Sequence, residues 1–323
     1  PRHQQFAQLW LDSTEETVKR YAPILGAYPH PKFDVVENFF QSGYGMPSFT
    51  LLGDRVIEYV SAKAMRGGGI PPGYLDHEYV HGWYGNGLFV DYMRGNWCEA
   101  ITTYLSNYYA VELAGGGPDS PEAVDHRRGV MERFCLRVHG EADIPLRAFI
   151  TKKEDSDNDI GYGKGSLFFH MVRRATQPDD AAWWRTLATF TKDHVGQVVL
   201  WQDWAKAWRP KVGLGGSNGE ISMETGPGPF EALAPWLDRP GLPLYSLKFA
   251  TAAPLDAAAP EGPHEVQVVV DETTPGAPFG GALPIVVYGG EGESAWSVPG
   301  VVTMKEREGT ARVRVPHPPT RVE

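Results

Sequence analysis

Residues 75–86 read LDHEYVHGWYGN, in which two histidines four apart flank a glutamate. On an α-helix, positions i and i+4 share one face about one turn apart. His77 and His81 can therefore aim their imidazoles at a single ion, with Zn–N bonds of about 2.0–2.1 Å. Glu78 lies about 100° further round the axis and can reach a water on that ion without binding it. Zinc lowers the pKa of such a water to about 7, so a carboxylate suffices to take its proton. The chemistry these residue types imply is hydrolysis.

The pentad alone is weak, because it arises by chance in roughly one sequence of this composition in fifty. A four-coordinate catalytic site also needs a third protein ligand and an open position. Glu99 is the candidate, standing inside the apolar run WCEAITTYL, 97–105. An ionised carboxylate there is costly unless it is paired or metal-bound. An ordinary salt bridge is the competing reading of Glu99.

These residues need elements to hold them. Residues 3–22 carry apolar side chains at helical spacing. KFDVVENFF (32–40) and SFTLL (48–52) read as strands, and DRVIEYVSAKA as the helix that follows. Glycines and prolines at 67–73 make a loop into the HExxH helix. Residues 96–114 form a long, mostly buried helix bearing Glu99, and 120–138 another, opened by Ser120 and Glu122. A polar stretch, 151–165, leads to the helix SLFFHMVRRA. Within it EDSDND, 154–159, reads as a solvated loop, since it lacks the spacing of a calcium-binding EF-hand. Helical segments near 180–195 and 201–209 precede a Gly-rich loop, 213–228. Beyond residue 238 short alternating segments are separated by Pro and Gly, the signature of a small antiparallel β domain.

The chain of 323 residues is long enough for two domains, each burying its own core. A formal net charge of −10 argues against nucleic acid or anionic lipid as the main partner. No run of about 18 apolar residues occurs, so no membrane-spanning helix is expected. Cys98 and Cys135 are the only cysteines; they set no disulfide framework, and one bridge or two free thiols are equally compatible. The chain opens at Pro1 without a charged-then-apolar leader, as a mature form or a fragment would.

HEYVHGWYGN followed by NWCEAITTYLSNYY resembles the core of the M1 (gluzincin) aminopeptidase family. GAYPHPKFDVV, GYGKGSLFFHMV and PWLDRPGLPLYSL resemble further family segments in the right order. The resemblance implies an α+β chain: a mostly helical, thermolysin-like zincin domain over residues 1–237 and a small antiparallel β-sandwich over 238–323. It implies one zinc ion held by His77, His81 and Glu99, with Glu78 as general base and a peptide as substrate. Tyr162 matches the family's catalytic tyrosine, a neutral donor to the oxyanion of the tetrahedral intermediate. Taken alone, Tyr162 in its Gly-flanked turn would read as a loop aromatic. Lys164 and Gly165 match the same motif and are expected to shape the helix start.

Two departures stand out. The interval from His81 to Glu99 is one residue shorter than the family's, a deficit the loop at 87–95 can absorb. The family's G-x-M-E-N loop, which binds the substrate backbone and holds its free amine through the Glu, corresponds to QSGYGMPSFTLL. Gly45 and Met46 match as substrate-binding residues, but Pro47 replaces the amine-binding Glu and offers neither charge nor N–H. A substrate ammonium would thereby lose a hydrogen bond worth roughly 1.5–3 kcal/mol. Removal of N-terminal residues and internal cleavage both remain open. A zinc-dependent epoxide hydrolase and a degenerate, non-catalytic zinc-binding module are the alternatives. Further domains of the same polypeptide are expected, since family members carry them. Such peptidases are often exported, which leans the expectation towards a periplasmic or secreted location.

Overall fold

A computed structural model describes residues 3–67, 69–176, 180–209, 211–214, 221–224 and 228–323. The chain forms two compact units, Pro1–Pro240 and Gly241–Glu323.

In the first unit α1 (Ala7–Leu25) buries Trp10, Tyr21 and Leu25. A three-stranded sheet follows, ordered β1-β3-β2. β1 (Asp34–Asn38) runs parallel to β3 (Phe49–Gly53), and β2 (Gly43–Met46) pairs antiparallel with β3. β2 was not apparent as a strand in the Gly-rich sequence GYGM; pairing with β3 makes it one. Trp10 donates from its indole N–H to Ser61 on α2 (Asp54–Ala64), 2.9 Å away, and packs with Leu52, Ile57, Val60 and Leu75. That cluster seats the start of α3 (Leu75–Val80), the short helix bearing the HExxH residues.

The Glu99 helix is not uniform. α4 (Cys98–Thr103) passes into a π-helical turn, Tyr104–Tyr108, before α5 (Tyr109–Gly115). Such insertions are rare and often lie at functional sites. Gly116, left-handed at φ 87°, ends α5. α6 (Pro121–Arg137) starts at Ser120, whose hydroxyl caps the N–H of Ala123 at 3.3 Å.

The stretch 154–159 departs from the expected solvated loop. It holds α7 (Asp155–Asn158), because the Asp157 carboxylate accepts the backbone N–H groups of Lys153 and Glu154 at 2.8 and 2.9 Å. An acidic side chain at a helix start satisfies donors that have no partner within the helix. A second π-helical segment, Asp159–Lys164, then leads into α8 (Gly165–Ala175). Tyr162 thus sits on a helix and not in a turn. Its flanking Gly161 marks close packing, since a Cβ there would meet the Phe149 ring at 2.3 Å.

α9 (Asp180–His194) and α10 (Trp201–Ala207) follow, and between them β5 (Val198–Val199) pairs parallel with β4 (Phe89–Val90), a two-residue strand from the loop after α3. Arg173 of α8 ties α5 and α9 together through Glu112 at 2.7 Å and Asp180 at 2.6 Å, all but Asp180 fully buried. The expected loop 213–228 contains part of a hairpin, β6 (Lys211–Leu214) with β7 (Ile221–Glu224), while 215–220 and 225–227 lie outside the described residues. Short helices α11 (Pro229–Ala232) and α12 (Ala234–Asp238) end the unit. Cys98 is buried, Cys135 exposed, and both are free. Among the described residues no helix is long and apolar enough to cross a membrane.

The second unit is one antiparallel sheet of six strands. They are β8 (Tyr245–Pro254), β9 (His264–Glu272), β10 (Gly281–Gly289), β11 (Trp296–Lys305), β12 (Glu308–Val315) and β13 (Pro319–Val322), in the order β13-β10-β11-β12-β9-β8. Alternation places Val266, Val268 and Val270 of β9 and Ala311, Val313 and Val315 of β12 on one buried face. Tyr245 and Val322, from the two edge strands, pack on that same core. The sheet therefore curls around its own interior.

Candidate active site

α3 is only six residues long, so tertiary contacts must hold it. Asp76 accepts the backbone N–H groups of Gly73 (2.8 Å) and His77 (3.1 Å), and meets the Tyr21 hydroxyl and the Arg20 guanidinium of α1. On another side Tyr79 stacks on Tyr28 at 4.6 Å and meets Trp83 edge-on. This anchorage leaves His77, Glu78 and His81 facing a cleft of about 710 Å³.

His77 Nε2 and His81 Nε2 stand 3.2 Å apart. Glu99 Oε2, from α4, is 3.5 Å from the first and 3.3 Å from the second. A tetrahedral zinc with bonds of about 2.05 Å sets its ligand atoms roughly 3.3 Å apart. The triangle has that edge length on all three sides, so these residues fit the ion. Glu99 Oε2 is moreover buried with no hydrogen-bond partner among the described residues. The shortened interval between His81 and Glu99 does not prevent the three from meeting.

Each histidine is oriented by its other nitrogen. His81 Nδ1 lies 2.9 Å from the Tyr84 carbonyl, an acceptor only, so Nδ1 carries the proton and Nε2 is left bare. His77 Nδ1 lies 3.2 Å from Ser106 Oγ, on the π-helical turn. Ser106 gives its own proton to Thr102 O (2.7 Å) or Asn107 Oδ1 (2.8 Å), and so accepts from His77. Both Nε2 lone pairs therefore point at one spot. Ser106 and Tyr84 escaped the sequence reading. A polar stripe of Glu99, Thr102 and Ser106 along an apolar helix was the available signal for the first; a main-chain partner leaves none.

Glu78 is packed beneath β2. A Cβ on Gly43 would lie 2.3 Å from Glu78 Oε1, and one on Gly45 would lie 2.7 Å from His81 Cβ and 2.9 Å from Glu78 O. Only glycine allows this approach. Burial pushes the Glu78 carboxyl up, opposed by the imidazoles of His77 and His81 and by the Gly45 N–H. Burial also acts to raise Glu99, but His81 and His77 beside it win and hold its carboxyl well below the usual range. Burial, then the Glu99 carboxylate, keep the Tyr162 phenol protonated far above ordinary pH. The Tyr162 ring lies parallel to His77 at 6.0 Å and lines the same cleft.

Gly45 and Met46 line the cleft too. The Gly45 carbonyl accepts from Asn86 Nδ2 at 3.0 Å, which ties β2 to the chain beyond His81. Pro47 sits at the exposed tip of the two-residue turn joining Met46 to Phe49, with Ser48 at φ 69°. Lys164 is buried, and its ammonium donates to the Arg239 carbonyl at 2.8 Å. Gly165 lets α8 touch α4: a Cβ there would meet Ala100 Cβ at 2.5 Å. His170 is a core residue between Tyr104 and Tyr108.

Fold and site together set a HExxH helix beside a following helix that bears a glutamate. The chain is similar to the M1 zinc aminopeptidases. Aminopeptidase A of Legionella pneumophila superposes with a TM-score of 0.56 at 14% identity, over 100% of this chain and 34% of that one. An M1 zinc metallopeptidase of Deinococcus radiodurans gives 0.48 at 17% identity, over 72% of this chain and 45% of that one. Mitochondrial aminopeptidase 2 of Saccharomyces cerevisiae is 25% identical over 188 residues, 54% of this chain and 19% of that protein. These matches span less than half of each relative. No protein-family model matches the sequence.

Proposed function

We propose that residues 1–240 form the catalytic domain of a zinc-dependent peptidase of M1 type. The near-equilateral triangle of His77 Nε2, His81 Nε2 and Glu99 Oε2, with edges of 3.2–3.5 Å, carries the reading. One zinc ion held there would supply Lewis acidity, polarising a carbonyl and lowering the pKa of a coordinated water to about 7. Glu78 takes a proton from the attacking water and returns it to the leaving amine. The packing of its carboxylate under β2, beside the two imidazoles, supports this role. Tyr162 donates its phenolic proton in a hydrogen bond to the developing oxyanion, for which a group held neutral is suited. Gly43 to Met46 line the cleft as an edge strand along which an extended peptide can lie.

The test is cleavage of one peptide, amino terminus free or acetylated, by zinc-loaded protein and by Glu78→Gln. Loss of the base is expected to lower kcat by about a hundredfold or more. Undiminished turnover by Glu78→Gln would overturn the mechanism. A strong preference for the free amine assigns an exopeptidase whose amine is held by a group other than residue 47. Equal cleavage of both peptides assigns Pro47 as the mark of an endopeptidase.

A further inference from the structure

The cleft that β2 lines is also lined by α6 and by the π-helical segment that bears Tyr162. His126, Val130 and Arg133 follow one another at helical spacing along α6 and line the cleft. Lys152 joins them from the loop before α7. Two cations thus face the substrate space in a chain whose net charge is −10.

Arg133 is held in place without being used up. Its Nε lies 3.9 Å from Asp159 Oδ1, and Arg137 Nη1 lies 3.6 Å from Asp159 Oδ2. Both separations exceed hydrogen-bond length, so Asp159 steers the guanidiniums electrostatically and leaves their N–H groups unspent. Neither the Arg133 nor the Lys152 side chain makes a hydrogen bond among the described residues. Asp159 itself is almost wholly buried and shared between two arginines, while the Arg133 side chain is half exposed. The accessible cation that α6 itself contributes is planar, with five donors. Its natural complement is a carboxylate, which it can grip with two parallel bonds.

We propose that the α6 wall, through Arg133 with Lys152 beside it, binds a carboxylate of the peptide substrate. This rests on the peptidase reading of the same cleft. The carboxylate can come from the C-terminus of a short peptide or from an acidic side chain.

Binding separates this inference from turnover. Glu78→Gln protein is titrated calorimetrically with trialanine, with trialanine amide, and with Ala-Ala-Asp amide. The free acid is expected to bind about ten- to a hundredfold more tightly than the amide. Adding Arg133→Gln should bring the acid to within about threefold of the amide. Tight binding of Ala-Ala-Asp amide would make a side chain a sufficient source; weak binding would make the chain terminus the group that is read. An amide that binds as well as the acid overturns the proposal, as does a gap that survives Arg133→Gln, or no binding by any of the three. Wild-type protein that cleaves acid and amide alike leaves the peptidase reading standing while this inference falls. Protein that cleaves nothing, yet keeps the Arg133-dependent preference, does the reverse.

Discussion

Replacing Ser106 with alanine tests whether the two histidines are preset for a metal. Ser106 is buried, and its hydroxyl is the only group that receives the His77 Nδ1 proton among the described residues. The substitution removes one oxygen and leaves the backbone of the π-helical turn intact. A hydrogen bond from a neutral donor is worth about 0.5–1.5 kcal/mol, and one from a charged donor about 1.5–3 kcal/mol. An imidazole bound to a dication approaches the charged case, but 3.2 Å is the long end of the N–H···O range. The expected loss is therefore about 1.5–2 kcal/mol, or roughly ten- to thirtyfold in zinc affinity. His81 limits the damage, because its Nδ1 partner is the Tyr84 carbonyl and is untouched. Zinc affinity is read at neutral pH by competition with a chromophoric chelator. Thr103→Ala is the control: Thr103 lines the cleft, and its hydroxyl has no hydrogen-bond partner among the described residues. Unchanged zinc affinity in Ser106→Ala, or an equal loss in Thr103→Ala, would refute the reasoning.

Two further outcomes are expected. Gly165→Ala should place a methyl 2.5 Å from Ala100 Cβ and pry α8 from α4. Overpacking of this kind costs about 1–3 kcal/mol, or a fall in Tm of about 2–12 °C by calorimetry, and an unchanged Tm would contradict the close approach. Burial pushes the Lys164 ammonium down to about 8 from 10.5, with Asp143 opposing the shift. Between those values the folded chain binds fewer protons than the unfolded one, so stability rises with pH across that window. The gain is roughly 3 kcal/mol, and urea unfolding at the two pH limits should show it in the wild type and not in Lys164→Met. Equal gains in both proteins would disprove the assignment.

What could be read in advance follows from where the free-energy cost of a residue shows itself. Glu99 was legible because an ionised carboxylate in WCEAITTYL demands a partner, and the HExxH pair supplied a reason. β9 and β12 were legible because alternation reports a half-buried sheet. Tyr162 needed the resemblance: its neighbours Gly161 and Gly163 read as a turn, whereas Gly161 is glycine because Phe149 occupies the space of a side chain. EDSDND misled for the opposite reason. Its acidic residues read as solvated loop, yet Asp157 caps a helix and Asp159 is buried beneath two arginines.

The two histidines of one motif divide along the same line. Spacing marks both as candidate ligands, but spacing says nothing of which nitrogen is bare. That is decided for His77 by a side chain on another helix, brought into reach where α4 passes into the π-helical turn. For His81 it is decided by the main chain at Tyr84, where Gly85 follows at φ 109°. Glycine adopts that conformation at little cost, and other residues do not. A side chain can be lost by one substitution, whereas a carbonyl persists through any substitution at Tyr84 that keeps the backbone path. The candidate metal site is therefore vulnerable to sequence change through His77's partner, and to backbone change through His81's.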